Sequence, residues 1–284
     1  MNPIDLTNRL FNKSGNDAGP TSPLYHGTRV ILGLYDLVAS FKTNKCPHSC
    51  TFCSLPSMSK ETDVSREQLI QQVDWLFQRY SSELEKLEQL TVRNEGSVLS
   101  ARQFHPESLD YLIAQLGAMP RLKKLSLETR LEYVTGRRLQ GIMESMGSGI
   151  ELDLTVGFET QDEYILNTIL GKNLNKDTFE KKVALLGRNG VSLTAYVMLK
   201  PAPRMSEQEG VEEAMKSIDY LSCLSRRHGT KLTIYLNPTY AAKGSKLAAE
   251  MESAGYLPPS IDSLSYAVAE AEKKGIRIYT DPVQ

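Results

Sequence analysis

Residues 45–53 read KCPHSCTFC and contain three of the four cysteines of the chain, Cys46, Cys50 and Cys53. This CxxxCxxC spacing favours an iron–sulfur cluster over a disulfide framework, because three thiolates on one short loop can hold three corners of a [4Fe–4S] cluster. The fourth iron then lacks a cysteine ligand and is open to a small molecule. The spacing therefore predicts a metal centre at which chemistry can start.

Zinc is the alternative metal, with His48 or the distant Cys223 as the fourth ligand of a tetrahedral structural site. Structural zinc sites usually combine two separated pairs of ligands, whereas the three thiolates here lie on one loop. The spacing favours iron, and we interpret His48 as a loop residue.

Composition and charge limit the class of protein. The chain has 284 residues, of which 40% are hydrophobic, enough for the core of one α/β barrel. Its 33 Lys and Arg against 34 Asp and Glu give no basic surplus, so a nucleic-acid partner stays open but has no support from charge. The sequence shows neither a membrane span nor a signal peptide. The clustering of three of the four cysteines is typical of a metal site and not of a secreted disulfide framework. Together these features lead us to expect a cytoplasmic protein without a membrane partner.

Strand and helix patterns alternate along the chain. Residues 1–28, rich in Asn, Gly, Ser and Pro, are expected to form a flexible arm, and residues 29–284 one barrel domain with a C-terminal extension. Apolar runs predict strands at residues 29–37, 90–93, 123–127, 151–157, 192–199, 231–236 and 276–279. Periodicity and capping boxes predict helices at residues 65–80, 106–116, 132–145, 176–187 and 206–226. The alternation predicts a parallel sheet with helices outside it.

An aromatic residue, Phe52, stands directly before the third cysteine. A CxxxCxxC motif with an aromatic residue at this position resembles the signature of the radical S-adenosylmethionine (SAM) superfamily. The resemblance implies an α/β fold, a partial (β/α)6 TIM-like barrel with parallel strands, and two cofactors, a [4Fe–4S] cluster on Cys46, Cys50 and Cys53 and SAM. It also implies an enzyme whose reduced cluster cleaves SAM to methionine and a 5′-deoxyadenosyl radical, which abstracts hydrogen from a substrate. An electron donor such as flavodoxin or ferredoxin would be a partner.

The reacting groups of a parallel barrel gather at the carboxyl ends of its strands. By the resemblance, NEGS at residues 94–97 would hold the SAM amino group, Glu159 of GFET the ribose, and Lys172 the SAM carboxylate. Met198 and Leu199, at the end of the fifth predicted strand, would line the adenine pocket. The ETR triplet at residues 128–130 is similar to one in the Elongator catalytic subunit. The residues expected to contact SAM are Phe52, Asn94, Glu95, Gly96, Ser97, Glu128, Arg130, Glu159, Lys172, Met198 and Leu199.

Each of these motifs also has a plainer interpretation. NEGS can be an ordinary polar turn, Lys172 an exposed lysine after a helix, and Met198 and Leu199 simple core residues. Asn237 and Tyr240, at the end of the sixth predicted strand, are expected to contact the substrate and are our candidate catalytic residues.

The fourth cysteine, Cys223, lies on the helix predicted from Ser206. At about 100° per residue it falls roughly 140° from the centre of the apolar stripe of that helix. We interpret it as incidental and keep open the alternative of a radical SAM epimerase that uses Cys223 as hydrogen donor.

The ordered series NEGS, LETR, GFET, LKP and YLNPT resembles the Elongator-type branch, especially the radical SAM subunit of archaeosine synthase, over roughly residues 30 to 260. That enzyme works on a lysine-modified base in transfer RNA, but this chain lacks a basic RNA-binding extension. We therefore expect a small nucleoside-, sugar- or amino-acid-derived substrate in a biosynthetic pathway. A tRNA-modifying enzyme, a non-catalytic iron–sulfur electron carrier and a silent scaffold remain as alternatives.

Overall fold

The computed structural model describes residues 21–55 and 63–280. The predicted N-terminal arm lies outside the described residues up to residue 20, and its last residues, from Tyr25, belong to the first strand. The described residues form two compact units: residues 21–47 with 63–154, and residues 48–55 with 155–280. Among the helices of the described residues, none is both long and apolar enough to cross a membrane.

The first unit alternates strands with helices as predicted. Its strands β1 to β4 are neighbours in chain order; β1 is antiparallel to β2, and the pairs β2–β3 and β3–β4 are parallel. Helix α1 begins with the predicted capping box of Ser65 and Gln68. The elements are β1 (Tyr25–Ile31), β2 (Leu34–Phe41), α1 (Arg66–Arg79), β3 (Gln89–Asn94), α2 (Pro106–Ala114), β4 (Lys124–Glu128) and α3 (Gly136–Ser145).

The first predicted strand, residues 29–37, is wrong. The structure has a hairpin there, because Leu32 and Gly33 both take positive φ angles, 49° and 82°, and turn the chain between β1 and β2. Two residues with positive φ form the two-residue turn that suits the twist of a hairpin. An apolar Leu at the turn continues the hydrophobic run, so the pattern hides the reversal.

Strand β5 (Glu151–Glu159) begins in the first unit and continues into the second. In the second unit, β5 to β8 are neighbours in chain order, and the pairs β6–β7 and β7–β8 are parallel. The other elements are a π-helix (Ile165–Ile169), α4 (Lys176–Arg188), β6 (Ser192–Leu199), α5 (Glu207–His228), β7 (Leu232–Pro238), α6 (Lys246–Ser253), α7 (Ile261–Lys273) and β8 (Arg277–Tyr279).

The core of the second unit lies between its strands and helix α5, which packs on β6 and β7. Val197 and Leu199 of β6 and Ile234 and Leu236 of β7 are fully buried. Alternate residues of a strand point to opposite faces, so Met198 and Asn237, which are paired in the β6–β7 register, lie on the other face. The sheet thereby separates an apolar helix-covered face, which includes Leu199, from the face that carries Met198 and Asn237.

Candidate active site

The cysteine loop follows β2, and Cys46, Cys50 and Cys53 are each half-buried. The backbone N–H of Cys53 donates to the carbonyl of Cys50 at 3.3 Å, which makes a turn between these two residues. Within residues 21–55 and 63–280, no three His, Cys, Asp or Glu side chains are arranged to hold a metal ion. The three thiols suit an iron–sulfur cluster by their donor chemistry, and their ligation stays a prediction.

In the second unit, Phe52, Glu159 and Lys172 lie together. The Lys172 ammonium forms an ion pair with the Glu159 carboxylate, Nζ to Oε1 2.7 Å, and lies 5.7 Å from the centre of the Phe52 ring. Both charged side chains are nearly buried, with 10% and 6% of their surface exposed. A Cβ at Gly157 would lie 2.3 Å from both charged atoms, so only glycine leaves room for this pair.

Met198 joins the same region through a hydrophobic cluster. Phe52 packs against this cluster, whose buried members are Ile165, Leu170, Met198, Leu247 and Met251. Leu199, the next residue of β6, points to the opposite face and has 0% of its surface exposed. Of the two residues expected to contact adenine, only Met198 belongs to the cluster against which Phe52 packs.

The two predicted substrate residues follow the end of the neighbouring strand. Asn237 is half-buried and lies opposite Met198 in the β6–β7 register. Tyr240 lies in the loop beyond β7 with 38% of its surface exposed. Between them, the hydroxyl of Thr239 is buried without a hydrogen-bond partner in the described part of the chain. Asn237 is therefore the better placed of the two for a ligand beside Met198.

A buried carboxylate on α5 holds the turn that follows GFET. Glu213 accepts hydrogen bonds from the Thr160 hydroxyl at 2.5 Å, the Asp162 N–H at 3.3 Å and the Ser217 hydroxyl at 3.2 Å. The side-chain amide of Gln161 donates to both of its oxygens, at 3.3 and 3.2 Å. This network fixes the chain just after Glu159.

Lys200 ties a C-terminal segment to the end of β6. Its ammonium donates to the Leu257 carbonyl at 2.9 Å, lies 4.9 Å from the centre of the Tyr256 ring and is 3.4 Å from a Glu207 oxygen. In return, the Tyr256 hydroxyl donates to the Lys200 carbonyl at 2.7 Å. Lys200 also has a φ of 63°, a conformation rare for a residue with a side chain.

The carboxyl of Glu207 is held ionised by its neighbours. Partial burial by itself would raise its pKa, but hydrogen bonds from the Ser263 hydroxyl and from the N–H and hydroxyl of Ser260, together with the Lys200 charge, lower the pKa to about 2. The Ser260 N–H lies 2.6 Å from a Glu207 oxygen. The carboxylate thus joins the start of α5 to the segment before α7.

In the first unit, the NEGS turn is braced by its own side chains. The Asn94 amide donates to the Thr43 hydroxyl at 3.3 Å, and its oxygen accepts from the Gly96 N–H at 3.0 Å. A Cβ at Gly96 would lie 2.0 Å from the Gln103 side chain, which is buried against it. Glu95 is half-buried on the same turn. Asn94 therefore shapes the turn whatever else it binds.

Ser97 connects the NEGS turn to the ETR triplet. Its hydroxyl lies 2.5 Å from the Thr129 hydroxyl and accepts the Arg130 N–H at 3.0 Å. The Arg130 guanidinium pairs with Glu132. Thr129, which the sequence analysis did not select, is the residue that joins the two motifs.

Glu128, at the end of β4, forms an ion pair with Arg93 of β3, 3.2 Å from Nε to Oε2. The structure therefore brings the NEGS and ETR residues together in the first unit, and Phe52, Glu159, Lys172 and Met198 together in the second.

Besides Thr129, three residues with clear contacts were not predicted from the sequence: Thr51, Lys200 and Glu213. Glu213 had a signal, because it is a charged residue among the buried residues of α5. Thr51 and Lys200 had none, since their partners come from distant parts of the chain.

No protein-family model matches the chain. The chain is 26% identical to archaeosine synthase subunit beta of Methanosarcina acetivorans over 267 residues, which cover 90% of this chain and 74% of that protein. It is 23% identical to an uncharacterized protein of Methanocaldococcus jannaschii over 226 residues, 79% of this chain and 60% of that protein. The first match agrees with the branch predicted from NEGS, LETR and GFET.

Solved structures show the same fold at low identity. Spore photoproduct lyase is similar with a TM-score of 0.56 at 12% identity, over 95% of this chain and 79% of that one. Escherichia coli coproporphyrinogen III oxidase, described as a radical SAM enzyme, gives 0.54 at 12% identity, over 84% of this chain and 52% of that one. Streptococcus suis SuiB, bound to SAM, gives 0.55 at 12% identity, over 87% of this chain and 50% of that one.

This chain thus spans about half the length of the last two structures. The predicted fold class is confirmed by these likenesses. The chain has the radical SAM fold and carries the cysteine signature of that superfamily.

Proposed function

We propose that the chain is a radical SAM enzyme with Cys46, Cys50 and Cys53 as the ligands of a [4Fe–4S] cluster. When bound, the cluster supplies the electron that splits SAM into methionine and a 5′-deoxyadenosyl radical, which abstracts hydrogen from the substrate. The fold, the cysteine spacing and the similarity to archaeosine synthase subunit beta support this proposal.

The observation that carries the proposal is the group formed by Phe52, Glu159, Lys172 and Met198 in the unit that contains Cys50 and Cys53. It offers a carboxylate for a ribose hydroxyl, an ammonium for the SAM carboxylate, and apolar surface for adenine. In the structure, the Lys172 ammonium and the Glu159 carboxylate neutralise each other in an ion pair. When SAM binds, the carboxylate would exchange part of this ion pair for the ribose and the ammonium for the SAM carboxylate. Neither charge would then be left buried and uncompensated.

The role of the chain's own residues is to orient the reactants and to exclude water. Met198 and Phe52 would keep the adenine side dry, and Asn237, the partner of Met198 in the strand register, would orient a substrate by hydrogen bonds. Tyr240 would contact the more exposed end of the substrate.

We propose a small nucleoside-, sugar- or amino-acid-derived substrate. A base in transfer RNA is the second candidate, and the 26% identity to archaeosine synthase subunit beta over 90% of the chain favours it. The near-zero net charge of −1 favours the first, since tight RNA binding draws on a basic surface.

The test is anaerobic. The full chain is reconstituted with iron and sulfide, reduced with dithionite and given SAM, and 5′-deoxyadenosine is measured by mass spectrometry with free nucleosides, sugars or transfer RNA added. Formation of 5′-deoxyadenosine supports the radical enzyme, and a rise with one addition identifies the substrate class. Cys50→Ala should abolish both the cluster and the cleavage, whereas Cys223→Ala, which changes an exposed cysteine of α5, should preserve both.

Cleavage of SAM by the Cys50→Ala chain would contradict the proposal. A cluster that forms and is reduced, but neither binds nor cleaves SAM, would favour the electron carrier. To test the proposed protein electron donor, flavodoxin or ferredoxin replaces dithionite in the same assay, and 5′-deoxyadenosine is measured again.

A further inference from the structure

Thr51, between the second and third cysteines, uses each of its polar groups to contact another part of the second unit. Its N–H donates to the Leu170 carbonyl at 2.9 Å, and its hydroxyl donates to the Ile169 carbonyl at 2.6 Å. Its own carbonyl accepts the Leu247 N–H at 2.8 Å. One residue of the cysteine loop is thus bonded to two segments that lie far from it in sequence.

The groups that Thr51 contacts belong to helix ends, where backbone N–H or carbonyl groups have no partner within their own helix. Ile169 is the last residue of the π-helix and Leu170 its C-cap, so their carbonyls have no later turn of the helix to bond. Leu247 is the second residue of α6, and its N–H is one of the first-turn donors without an intrahelical acceptor. Thr51 satisfies the end of one helix and the start of another at once.

Thr51 and Phe52 are also tightly packed against the segments that Thr51 bonds. A Cβ at Gly171, which has a φ of 59°, would lie 3.4 Å from the Thr51 methyl group. The next loop residue, Phe52, packs against the cluster that contains Leu170 and Leu247. The hydrogen bonds and the apolar contact therefore fix the same two residues between Cys50 and Cys53.

We infer that Thr51 is a positioning residue that anchors the segment between Cys50 and Cys53 to the π-helix and to α6, and so orders this part of the cysteine loop before the cluster is bound. This inference rests on the proposed cluster at Cys46, Cys50 and Cys53. Preorganisation lowers the conformational entropy that the loop loses when the metal binds.

The test compares Thr51→Val with Thr51→Ser in the full chain. Valine keeps the branched shape but loses the hydroxyl bond to Ile169, and serine keeps the hydroxyl. Thr168→Val, at an exposed position of the same π-helix, is the matched control. Three properties are measured: amide hydrogen exchange of residues 48–55 in the cluster-free chain, iron lost to EDTA after reconstitution, and the electron paramagnetic resonance spectrum of the reduced cluster.

We expect Thr51→Val to raise the exchange rate and the rate of iron loss roughly threefold to tenfold, the effect of one lost hydrogen bond. The resonance spectrum should broaden or shift, and Thr51→Ser should restore all three properties. The melting temperature of the cluster-free chain separates this effect from misfolding and should stay close to that of the wild type.

Two results are distinct in meaning. If the wild type binds a cluster and Thr51→Val matches it in exchange, iron loss and spectrum, the inference about Thr51 is overturned while the proposed function stands. If the wild type binds no cluster under any reconstitution, the proposed function fails. Faster exchange in the cluster-free Thr51→Val chain would still show that Thr51 orders the loop.

Discussion

At the scale of single residues, charged side chains sit where two strands end in strained backbone. Glu159 ends β5 with a φ of 71°, and Lys200 follows β6 with a φ of 63°. A positive φ costs a residue with a Cβ about 1–2 kcal/mol. In both cases the side chain is buried and engaged, Glu159 with Lys172 and Lys200 with the segment around Tyr256. The contacts of these two buried side chains offset the strain.

Glu159→Gln tests the buried ion pair with Lys172. Glutamine keeps the shape but leaves the lysine charge without this carboxylate, which for a buried pair costs about 3 kcal/mol or more. We expect a loss of that size in the free energy of unfolding by urea, and weaker SAM binding by calorimetry at unchanged iron content. Glu163→Gln, at a carboxylate 70% exposed, is the control and should change stability by less than about 0.5 kcal/mol. Equal losses of unfolding free energy in the two variants would show that the ion pair of Glu159 and Lys172 does not stabilise the fold.

His26 predicts a pH dependence of stability. Its Nδ1 lies 2.8 Å from the Tyr80 hydroxyl, and its Nε2 is buried without a hydrogen-bond partner in the described ranges. Burial, and secondly the Arg79 charge, lower the pKa of His26 below 6.5. The unfolded chain then binds a proton more readily, so this residue's contribution to stability is lost as the pH falls through 6.5 towards the folded pKa.

We therefore expect the melting temperature of the wild type to fall more steeply between pH 7 and about 5 than that of His26→Gln. His105→Gln, the same substitution at another histidine of the chain, serves as the matched control. Parallel curves for the wild type and His26→Gln would contradict the assignment.

At the scale of elements, α6 and the segment after it organise the second unit. Helix α6 contributes Leu247 and Met251 to the cluster with Met198, and the following Tyr256 and Leu257 are bound by Lys200. These contacts cover the end of β6, where the resemblance places adenine. The C-terminal part of the chain is thus a wall of the candidate site and not a separate appendage.

Lys200→Met should release this segment. The variant loses the bond to the Leu257 carbonyl and the ion pair with Glu207, while the stem of the side chain can still pack. We expect hydrogen exchange in residues 254–260 to rise roughly tenfold, with little change in α5. Lys216→Met, at an exposed position of α5, is the control. Unchanged exchange in residues 254–260 would mean that Tyr256 and the hydrophobic cluster hold the segment without Lys200.

At the scale of the whole molecule, the proposed cofactor should stabilise the fold that binds it. A ligand that binds only the folded chain adds about 2.7 kcal/mol at a concentration of 100 times its Kd. We expect SAM to raise the melting temperature of the reconstituted chain by several degrees. The Cys50→Ala chain should show a much smaller rise, because its cluster is lost. A similar rise in both chains would place SAM binding outside the influence of the cluster.

The regular pattern of the chain was predictable because it depends on local periodicity. Strands β3 to β7 and the capping boxes at Ser65 and Ser206 are found as predicted. The β1–β2 hairpin was missed because Leu32 takes a turn conformation usually left to Gly or Asn. Helices α6 and α7 were not predicted. Helix α6 has only eight residues, and the buried side of α7 consists of Leu264, Ala267 and Ala271, which make a weak apolar pattern.

The candidate site divides in the same way. The cysteines, Glu159, Lys172 and Met198 stand in short motifs at strand ends, so the sequence by itself determined the superfamily and the cofactors to expect. Only the tertiary structure decided that Glu159 pairs with Lys172 over Phe52, that Leu199 faces away from Met198, and that Thr51 is bonded to Ile169, Leu170 and Leu247. The hydroxyl of Thr51 bonds a residue 118 positions away, and a donor or acceptor finds such a partner only when the fold brings it there.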